Sequence, residues 1–290
     1  KHSVGAMTDE DLFGLEQVAC PSAGACGAQF TANTMAMVSE ALGLTVPNSA
    51  MVPGVYAQRS AIAERAGEMV MDIVKRGGPL PRQIVTRKAI ENACAIVAAT
   101  GGSTNAALHL PAIANEAGVT FTLDDVEKVF ARTPLIGDLR PGGRFLAKDV
   151  HDIGGVSIII RELIRSGHMH GDCITVTGQT LAELHAGAPE PDGEIVRRSE
   201  NAIRPDGGLV VLKGNLAPDG ALLKVAGLKS LVFEGIARVF DGEDSCTAAV
   251  KKRDYKAGEV LVIRYEGPKG GPGMREMLGT TAIIYGQQMG

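Results

Sequence analysis

The sequence predicts a fold in two parts, with helices in the first part of the chain and strands in the second. Through residue 165, apolar residues recur at helical spacing between glycine-rich loops. From Gly171 onward, the apolar runs are short, rich in Val and Ile, and separated by glycines, as in strands. Their spacing favours a barrel or a sandwich, and the change in pattern places a domain boundary between Arg165 and Asp172.

Five helices are predicted in the first part, and several have recognisable ends. They cover residues 29–42, residues around 62–74, residues 87–98, a segment that opens at Gly-Gly-Ser-Thr-Asn, and a short segment after Thr122. Gly43 is a typical stop signal, and Thr122 with Asp125 has the pattern of a capping box.

Four short apolar runs predict strands in the second part. They are residues 172–178, 207–215, 221–227 and 259–267, and the polar segment 186–206 is predicted to be a loop. The Pro-Asp-Gly turn between the second and third runs indicates a hairpin. Lys213, Asn215 and Lys224 in this hairpin are weaker candidates for binding an anion.

Composition favours a small-molecule partner. Lys plus Arg number 29 and Asp plus Glu 33, so the net charge of −4 suits neither nucleic acid nor an anionic membrane as the main partner. No segment approaches the ~20 apolar residues that a membrane span needs. Five scattered cysteines do not form a secreted disulfide framework, which points to a reducing cytoplasm. Cys94 and Cys173 lie in apolar runs and are expected in the core.

The segment Cys-Pro-Ser-Ala-Gly-Ala-Cys-Gly contains Cys20 and Cys26 directly before a predicted helix. A helix N-terminus stabilises a thiolate, which can bind iron or act as a nucleophile. The spacing matches neither zinc nor ferredoxin patterns, so a metal here needs ligands from elsewhere. The alternative is two small buried cysteines in a turn.

The run Thr100–Asn105, Thr-Gly-Gly-Ser-Thr-Asn, is a second candidate binding loop. Its glycines allow a ligand close to the backbone, and Ser103 and Thr104 offer hydroxyl groups suited to a carboxylate or a phosphate. The alternative is that one of the two hydroxyls caps the following helix.

The third candidate is the segment 264–276, which follows a strand and leads into a helix. It is rich in glycine and proline and ends at Glu276. A carboxylate on such a rigid loop can bind Mg²⁺ or act as a base. The alternative is a first-turn Glu that the helix dipole favours.

Five segments together resemble the dihydroxy-acid and phosphogluconate dehydratase family, and the resemblance covers essentially the whole chain. They are ACPSAGACGAQFTANTMA, ATGGSTNAALHL, HGDCITVTG, GLVVLKGNLAPDGALLKVAG and VLVIRYEGPKGGPGMREML. The resemblance implies an α/β fold: a helix-rich α/β domain, here residues 1–168, followed by a mostly β, barrel-like domain, here residues 169–290. It also implies a homodimer, an active site between the domains, a 2Fe–2S cluster and Mg²⁺.

The resemblance also assigns roles to individual residues. Cys26 matches a cysteine ligand of the 2Fe–2S cluster, and Cys20 is a poorer candidate. Glu276 matches the carboxylate that binds Mg²⁺ in the Gly-Pro-Gly-Met-x-Glu motif. Ser103 and Thr104 are expected to line the substrate site.

Several family motifs do not occur in these residues. They are the two further cluster cysteines, a metal-binding Asp, the Cys-Asp-Lys motif, and the Thr-Asp-Gly-Arg-Phe-Ser-Gly motif whose serine is the proposed base. That serine is expected beyond Gly290, so no catalytic residue is assigned here. We expect these residues to be an internal portion of a longer chain and to be inactive alone.

The expected activity is the dehydration of a 2,3-dihydroxy acid to a 2-keto acid. Within the family, the chain looks most similar to members that act on branched-chain 2,3-dihydroxy-3-methyl acids in valine and isoleucine biosynthesis. Removing a weakly acidic C2 proton and expelling a C3 hydroxyl calls for two Lewis acids, which explains the cluster and Mg²⁺. The alternatives are a dehydratase of sugar acids, either aldonates or phosphogluconate, and a non-catalytic fragment of such an enzyme.

Overall fold

The computed structural model describes residues 1–2, 5–19, 27–228, 230–267 and 277–289. The chain forms two compact units, a large unit of Ser22–Leu228 and a small unit of Lys1–Pro21 with Lys229–Gly290. Helices dominate the N-terminal region and strands appear toward the C-terminal end, which confirms the predicted order. The predicted domains, residues 1–168 and 169–290, stay a prediction.

The large unit is mainly helical. Numbered in chain order, the α-helices of the described residues are α1 (Asp9–Val18), α2 (Thr31–Ala41), α3 (Gln58–Arg76), α4 (Pro81–Ile84), α5 (Arg87–Thr100), α6 (Ala106–Ala117), α7 (Leu123–Arg132), α8 (Ala147–Ile153), α9 (Val156–Arg165), α10 (Leu181–His185), α11 (Glu243–Lys251) and α12 (Leu278–Gly286). Helices α1, α11 and α12 belong to the small unit. No helix of the described ranges is long and apolar enough to cross a membrane.

Helix α5 lies at the centre of the core of the large unit. From Ala89 to Thr100 every residue except Glu91 is buried. Most of these side chains are small, so helices α2, α6, α7 and α9 can pack closely around it. The helix ends at Gly101, whose φ of +58° lies in the left-handed region that favours glycine. The core therefore fixes the position of the loop that follows.

The helix predictions agree with the structure. Helices α2, α3, α5, α6 and α7 occupy the predicted segments. The predicted capping box is confirmed, because the backbone N–H of Thr122 donates to Asp125 Oδ2 at 2.9 Å. The segment 186–206 is largely a loop, with one short 3₁₀ turn at Ser199–Asn201.

The strands pair two by two in the described residues. They are β1 (Leu209–Leu212), β2 (Ala221–Lys224), β3 (Ala237–Phe240) and β4 (Val260–Ile263). Strands β1 and β2 form the predicted antiparallel hairpin. Strands β3 and β4 pair in parallel, and α11 connects them along the chain. Strand β3, the short run Ala-Arg-Val-Phe before Asp241 and Gly242, was not predicted from the sequence.

The strand predicted at residues 172–178 is wrong. Only Ile174 forms a bridge there, and it pairs with Thr180 a few residues later. The chain reverses at Gly178, where φ is +87°, and the N–H of Thr175 donates to the carbonyl of Gln179 at 2.9 Å. The apolar run thus turns back on itself and does not extend as a strand.

Candidate functional site

One of the predicted binding loops, Thr100–Asn105, lies against the start of helix α2. The helix begins at Thr31, a few residues after the Cys20–Cys26 segment, and its N-cap residue Phe30 supplies no side-chain cap. The Ser103 hydroxyl lies 3.0 Å from the Thr31 hydroxyl, and the Ser103 N–H donates to Thr34 Oγ1 at 3.0 Å. The structure therefore brings the Gly-Gly-Ser-Thr-Asn loop against the residues that follow Cys26.

Asn105 completes a group that we call the hydroxyl cluster: Thr31, Thr34, Ser103 and Asn105. Its side-chain amide donates to Thr31 Oγ1 at 2.9 Å, and its backbone N–H donates to the Ser103 hydroxyl at 3.2 Å. The cluster is neutral and partly buried. Such a group can orient hydroxyl and carboxylate oxygens of a ligand without holding a charge of its own.

Gly102 allows the close contact between the loop and α2. A Cβ atom at this position would lie 3.0 Å from both Thr34 Cγ2 and Val97 Cγ1, closer than most real Cβ contacts. The sequence suggested that the glycines allow a ligand near the backbone. In the structure, the group that approaches Gly102 closely is helix α2, through the side chain of Thr34.

Ser103 and Thr104 differ in their surroundings. Ser103 bonds to α2 and also accepts a hydrogen bond from Asn105, which is the N-cap residue of α6. The Thr104 side chain has no hydrogen bond to any described residue, although it is only partly exposed. Neither hydroxyl occupies the N-cap position itself. Their expected contact with the substrate stays a prediction.

Gln29 lies beside the cluster with a buried acceptor atom. Its side chain is 1% exposed, and its amide nitrogen donates to Thr100 Oγ1 at 3.1 Å and to the Met37 sulfur at 2.9 Å. Its Oε1 atom has no partner among the described residues. An unsatisfied buried amide oxygen is destabilising by about 1–3 kcal/mol.

The end of strand β2 packs against the same loop. A Cβ atom on Gly101 would lie 3.3 Å from the methyl group of Ala226. The N–H groups of Val225 and Ala226 both donate to the carbonyl of Gly208, at 2.9 and 3.1 Å. The hairpin is thereby held beside the first glycine of the Gly-Gly-Ser-Thr-Asn run.

Three predicted residues lie outside the described residues: Cys20, Cys26 and Glu276. The described cysteines, Cys94, Cys173 and Cys246, are buried, as expected for the first two. Burial raises the pKa of the Cys173 thiol to about 11 and that of Cys94 further, so both stay protonated near neutral pH. They are therefore poor metal ligands.

Within the described ranges, no three or more His, Cys, Asp and Glu side chains are grouped so that they could hold a metal ion. The donor sets for a cluster and for Mg²⁺ are thus not found among those side chains. Sequence reasoning missed Thr31 and Thr34 as site residues, and it assigned no role to Asn105 although this residue lies in the predicted loop. The spacing of Thr31 and Thr34 on one helix face was an available signal, since residues three apart are neighbours on a helix.

A second polar network lies at the other end of α2. The Glu40 carboxylate is 3% exposed and accepts hydrogen bonds from the N–H groups of Asn48 and Ala50, at 2.9 and 2.7 Å. Burial raises the pKa of Glu40 to about 7. The Ser157 hydroxyl donates to Asn48 Oδ1 at 2.6 Å and lies 2.7 Å from His185 Nδ1. Burial lowers the pKa of His185 to about 4.

The sequence matches two family models along nearly its full length. Residues 1–184 match the dihydroxy-acid/6-phosphogluconate dehydratase N-terminal model, and residues 194–290 match the corresponding C-terminal model. Among curated relatives, dihydroxy-acid dehydratase 3 of Bradyrhizobium diazoefficiens is 67% identical over 99% of this chain. Dihydroxy-acid dehydratase 2 of Bordetella bronchiseptica is 62% identical over 99%, and the dihydroxy-acid dehydratase of Parvibaculum lavamentivorans is 59% identical over the whole chain.

These matches span 49%, 50% and 51% of the three relatives, so the chain spans about half the length of the curated relatives it matches. The two family models together account for both the helical and the strand-containing parts of the chain. The chain belongs to the dihydroxy-acid/6-phosphogluconate dehydratase family.

Proposed function

We propose that the protein containing this chain is a hydro-lyase that converts a 2,3-dihydroxy acid to a 2-keto acid. The proposed substrates are the branched-chain 2,3-dihydroxy-3-methyl acids of valine and isoleucine biosynthesis. The observation that carries the proposal is the 52–67% identity to eight proteins named dihydroxy-acid dehydratase over nearly the whole chain.

The hydroxyl cluster suits such a substrate. A 2,3-dihydroxy acid presents two hydroxyl groups and a carboxylate, all of which form hydrogen bonds with neutral donors and acceptors. Thr104 has a hydroxyl without a partner among the described residues, and Ser103 is held in place by Thr31 and Thr34. In this proposal Thr104 bonds to the substrate, and Ser103 orients the loop and contributes a second hydroxyl.

We further propose a 2Fe–2S cluster that includes Cys26 and a Mg²⁺ ion that includes Glu276. The two groups supply Lewis acids, one for the leaving hydroxyl and one for the oxygens near C2. No metal-binding group of acidic, Cys and His side chains occurs in the described ranges. In this proposal the remaining ligands come from the half of the protein that this chain does not span.

The proposed partner is a small-molecule acid, with no role for nucleic acid or a membrane, and the proposed assembly is a homodimer. A net charge of −4 supports the exclusion of polyanionic partners. Three buried cysteines without disulfides fit a reducing cytoplasm, which is the proposed location.

Turnover of a substrate panel tests the proposal. The full-length protein is reconstituted anaerobically with iron and sulfide, supplied with Mg²⁺, and assayed for 2-keto acid release. We expect turnover of 2,3-dihydroxy-3-methylbutanoate at a kcat/KM at least tenfold above that of gluconate and 6-phosphogluconate. The reverse preference would assign the protein to sugar acids, and no turnover of any of the three acids would contradict dehydratase function.

A further inference from the structure

Lys224 is a partly buried lysine whose ammonium group has no carboxylate or hydrogen-bond partner among the described residues. Four of the five other partly buried Lys and Arg residues of the described ranges are paired, which is the usual condition for such groups. The pairs are Lys148–Asp152, Arg161–Glu190, Arg204–Asp206 and Arg238–Asp254. Arg197 is a further exception, with a buried Nε atom that lacks a partner.

The position of Lys224 in the hairpin explains its burial. It lies opposite Leu209 in the β1–β2 register, so the two side chains share one face of the hairpin. Leu209 is 1% exposed and belongs to the hydrophobic core, and Leu222, on the same face, packs against that core. The lysine stem therefore lies along apolar surface. Burial lowers the pKa of Lys224 to about 8, with no charged neighbour contributing to the shift.

This end of the hairpin lies beside the candidate site. Gly208, next to Leu209, approaches Gly101 so closely that a Cβ atom on Gly208 would lie 2.8 Å from Gly101 Cα. Ala226, two residues after Lys224, contacts Gly101 as well. Both strands thus place the neighbourhood of Lys224 against the loop that carries Ser103.

The other two anion-binding candidates of the hairpin are different. Lys213 lies at the far end of β1, is exposed, and forms an ion pair with Asp124 at the start of α7. Asn215 is exposed in the turn. Of the three candidates, Lys224 is therefore the one that is partly buried and has no carboxylate partner among the described residues.

We propose that Lys224 binds the carboxylate of the acid substrate beside the loop that carries Ser103. The acid is the one assigned by the proposed function, on which this inference rests. A partly desolvated ammonium binds a carboxylate more strongly than an exposed one, because low dielectric strengthens the pair. The bound acid supplies the counter-charge that the described residues do not.

Binding of an acid to variants of the full-length protein tests this role without requiring turnover. The variants are Lys224→Met, Lys224→Arg, Lys213→Met and Arg197→Met. The probe is 3-methyl-2-oxobutanoate, the keto acid expected as product, titrated calorimetrically near pH 7. We expect Lys224→Met to raise its Kd about tenfold to a hundredfold, as the loss of a charge-assisted hydrogen bond implies. Lys213→Met is the matched control and should change the Kd less than about twofold, and Lys224→Arg should restore most of the affinity.

If Lys224→Met fails to fold, an NMR measurement of the Lys224 pKa in the wild-type protein tests the same role. Reductive ¹³C-methylation of the wild-type protein, with Lys224→Arg to assign the signal, reports the pKa of the Lys224 amine by NMR. We expect this pKa to rise when the keto acid saturates the protein, while that of Lys213 stays constant. A lysine with only a structural role would show no such shift.

The outcomes separate the two proposals. Unchanged affinity in a folded Lys224→Met variant, or an unchanged Lys224 pKa on saturation, overturns the role of Lys224 and leaves the dehydratase proposal intact. Loss of affinity in Arg197→Met with none in Lys224→Met would overturn it in favour of Arg197. A wild-type protein that binds the keto acid through Lys224 and forms none from the dihydroxy acid contradicts the dehydratase proposal alone. A wild-type protein that does not bind the keto acid contradicts the role of Lys224, whatever its turnover.

Discussion

The two ends of helix α2 hold polar networks of opposite character. At the N-terminal end, the hydroxyl cluster is neutral and partly buried, and Thr31 follows Cys26 by a few positions in the sequence. At the C-terminal end, Glu40, Ser157 and His185 are almost fully buried and bond to nearby chain segments. Both networks fix a loop against the same helix.

The difference separates a candidate binding site from a structural anchor. The Glu40 network includes two titratable groups, and both have pKa values shifted toward the neutral form, which is what burial alone does to acids and bases. The hydroxyl cluster has no titratable member, yet it lies next to the Thr104 hydroxyl, which has no partner among the described residues. The perturbed pKa values of Glu40 and His185 therefore mark an anchor, although such values are often used to locate active sites.

Removing the anchor carboxylate should have the largest effect on stability. Glu40→Ala leaves the buried N–H groups of Asn48 and Ala50 without their acceptor and opens a cavity. We expect the free energy of unfolding to fall by about 3 kcal/mol in urea titrations. Glu116→Ala, at an exposed position on α6, is the control and should change it by less than about 0.5 kcal/mol. Equal effects of the two substitutions would show that the network is not an anchor.

The pH dependence of stability should reveal two opposing contributions at the anchor. Glu40, with a pKa raised from 4.5 to about 7, contributes stability that is fully present below pH 4.5 and is lost as the pH rises through 7. His185, with a pKa lowered from 6.5 to about 4, contributes stability that is fully present above pH 6.5 and is lost as the pH falls through 4. Between pH 4.5 and 6.5 the two contributions cancel.

Single substitutions should uncover each slope. In Glu40→Gln, the stability should rise relative to wild type by up to about 1.4 kcal/mol per pH unit between pH 4.5 and 6.5, because only His185 still titrates. In His185→Gln, the stability should fall relative to wild type with a similar slope over the same range, because only Glu40 still titrates. Urea midpoints across this range provide the measurement, and profiles parallel to that of the wild type would refute the opposed titrations.

At the N-terminal end of α2, the addition of one methyl group at Gly102 should destabilise the protein. Gly102→Ala places a Cβ atom 3.0 Å from Thr34 Cγ2 and Val97 Cγ1 in a dense core, so we expect a loss of about 1–3 kcal/mol. Gly67→Ala is a control of opposite sign. No atom lies within 4 Å of a Cβ atom at Gly67, in the middle of α3, so the gain in helix propensity should stabilise the protein by up to about 1 kcal/mol. Thermal unfolding of both variants tests the pair.

Substitutions of Ser103 and Thr104 should have the smallest effects on stability, and that of Thr104 should also lower kcat/KM. Ser103→Ala removes the acceptor for the Asn105 N–H and should reduce stability by about 1 kcal/mol. Thr104→Val preserves side-chain shape and removes a hydroxyl with no described partner, so its effect should be under about 0.5 kcal/mol. In the full-length enzyme we expect Thr104→Val nevertheless to lower kcat/KM about tenfold, as the loss of one substrate hydrogen bond implies. Unchanged kcat/KM would remove Thr104 from the site.

Periodicity and turn chemistry predicted much of the fold. Helices α2, α5 and α7 and the β1–β2 hairpin follow from apolar spacing, Gly43, the Thr122 capping box and the Pro-Asp-Gly turn. The strand expected at residues 172–178 failed because the reversal at Gly178 overrides its strand propensity. Strand β3 was missed, although the Asp-Gly pair that follows it was an available turn signal.

The candidate site was only partly predictable. The Gly-Gly-Ser-Thr-Asn loop stood out by composition, but its contact with Thr31 and Thr34 joins residues about 70 positions apart in the sequence. Burial of Lys224 depends on the hairpin register, which places it opposite a core leucine. Such contacts arise from tertiary packing, and local sequence patterns do not specify them.

The most direct test of the reaction centre proposed at the start of α2 is the iron content of cysteine variants of the full-length protein. Cys26→Ser is compared with Cys173→Ser, whose buried thiol has a pKa raised to about 11 and is expected to bind no iron. After anaerobic reconstitution, we expect the Cys173→Ser variant to keep the iron, the sulfide and the visible absorption of a 2Fe–2S cluster, and the Cys26→Ser variant to lose them together with dehydratase turnover. A Cys26→Ser variant that retains its iron and forms 2-keto acid at the wild-type rate would contradict the account.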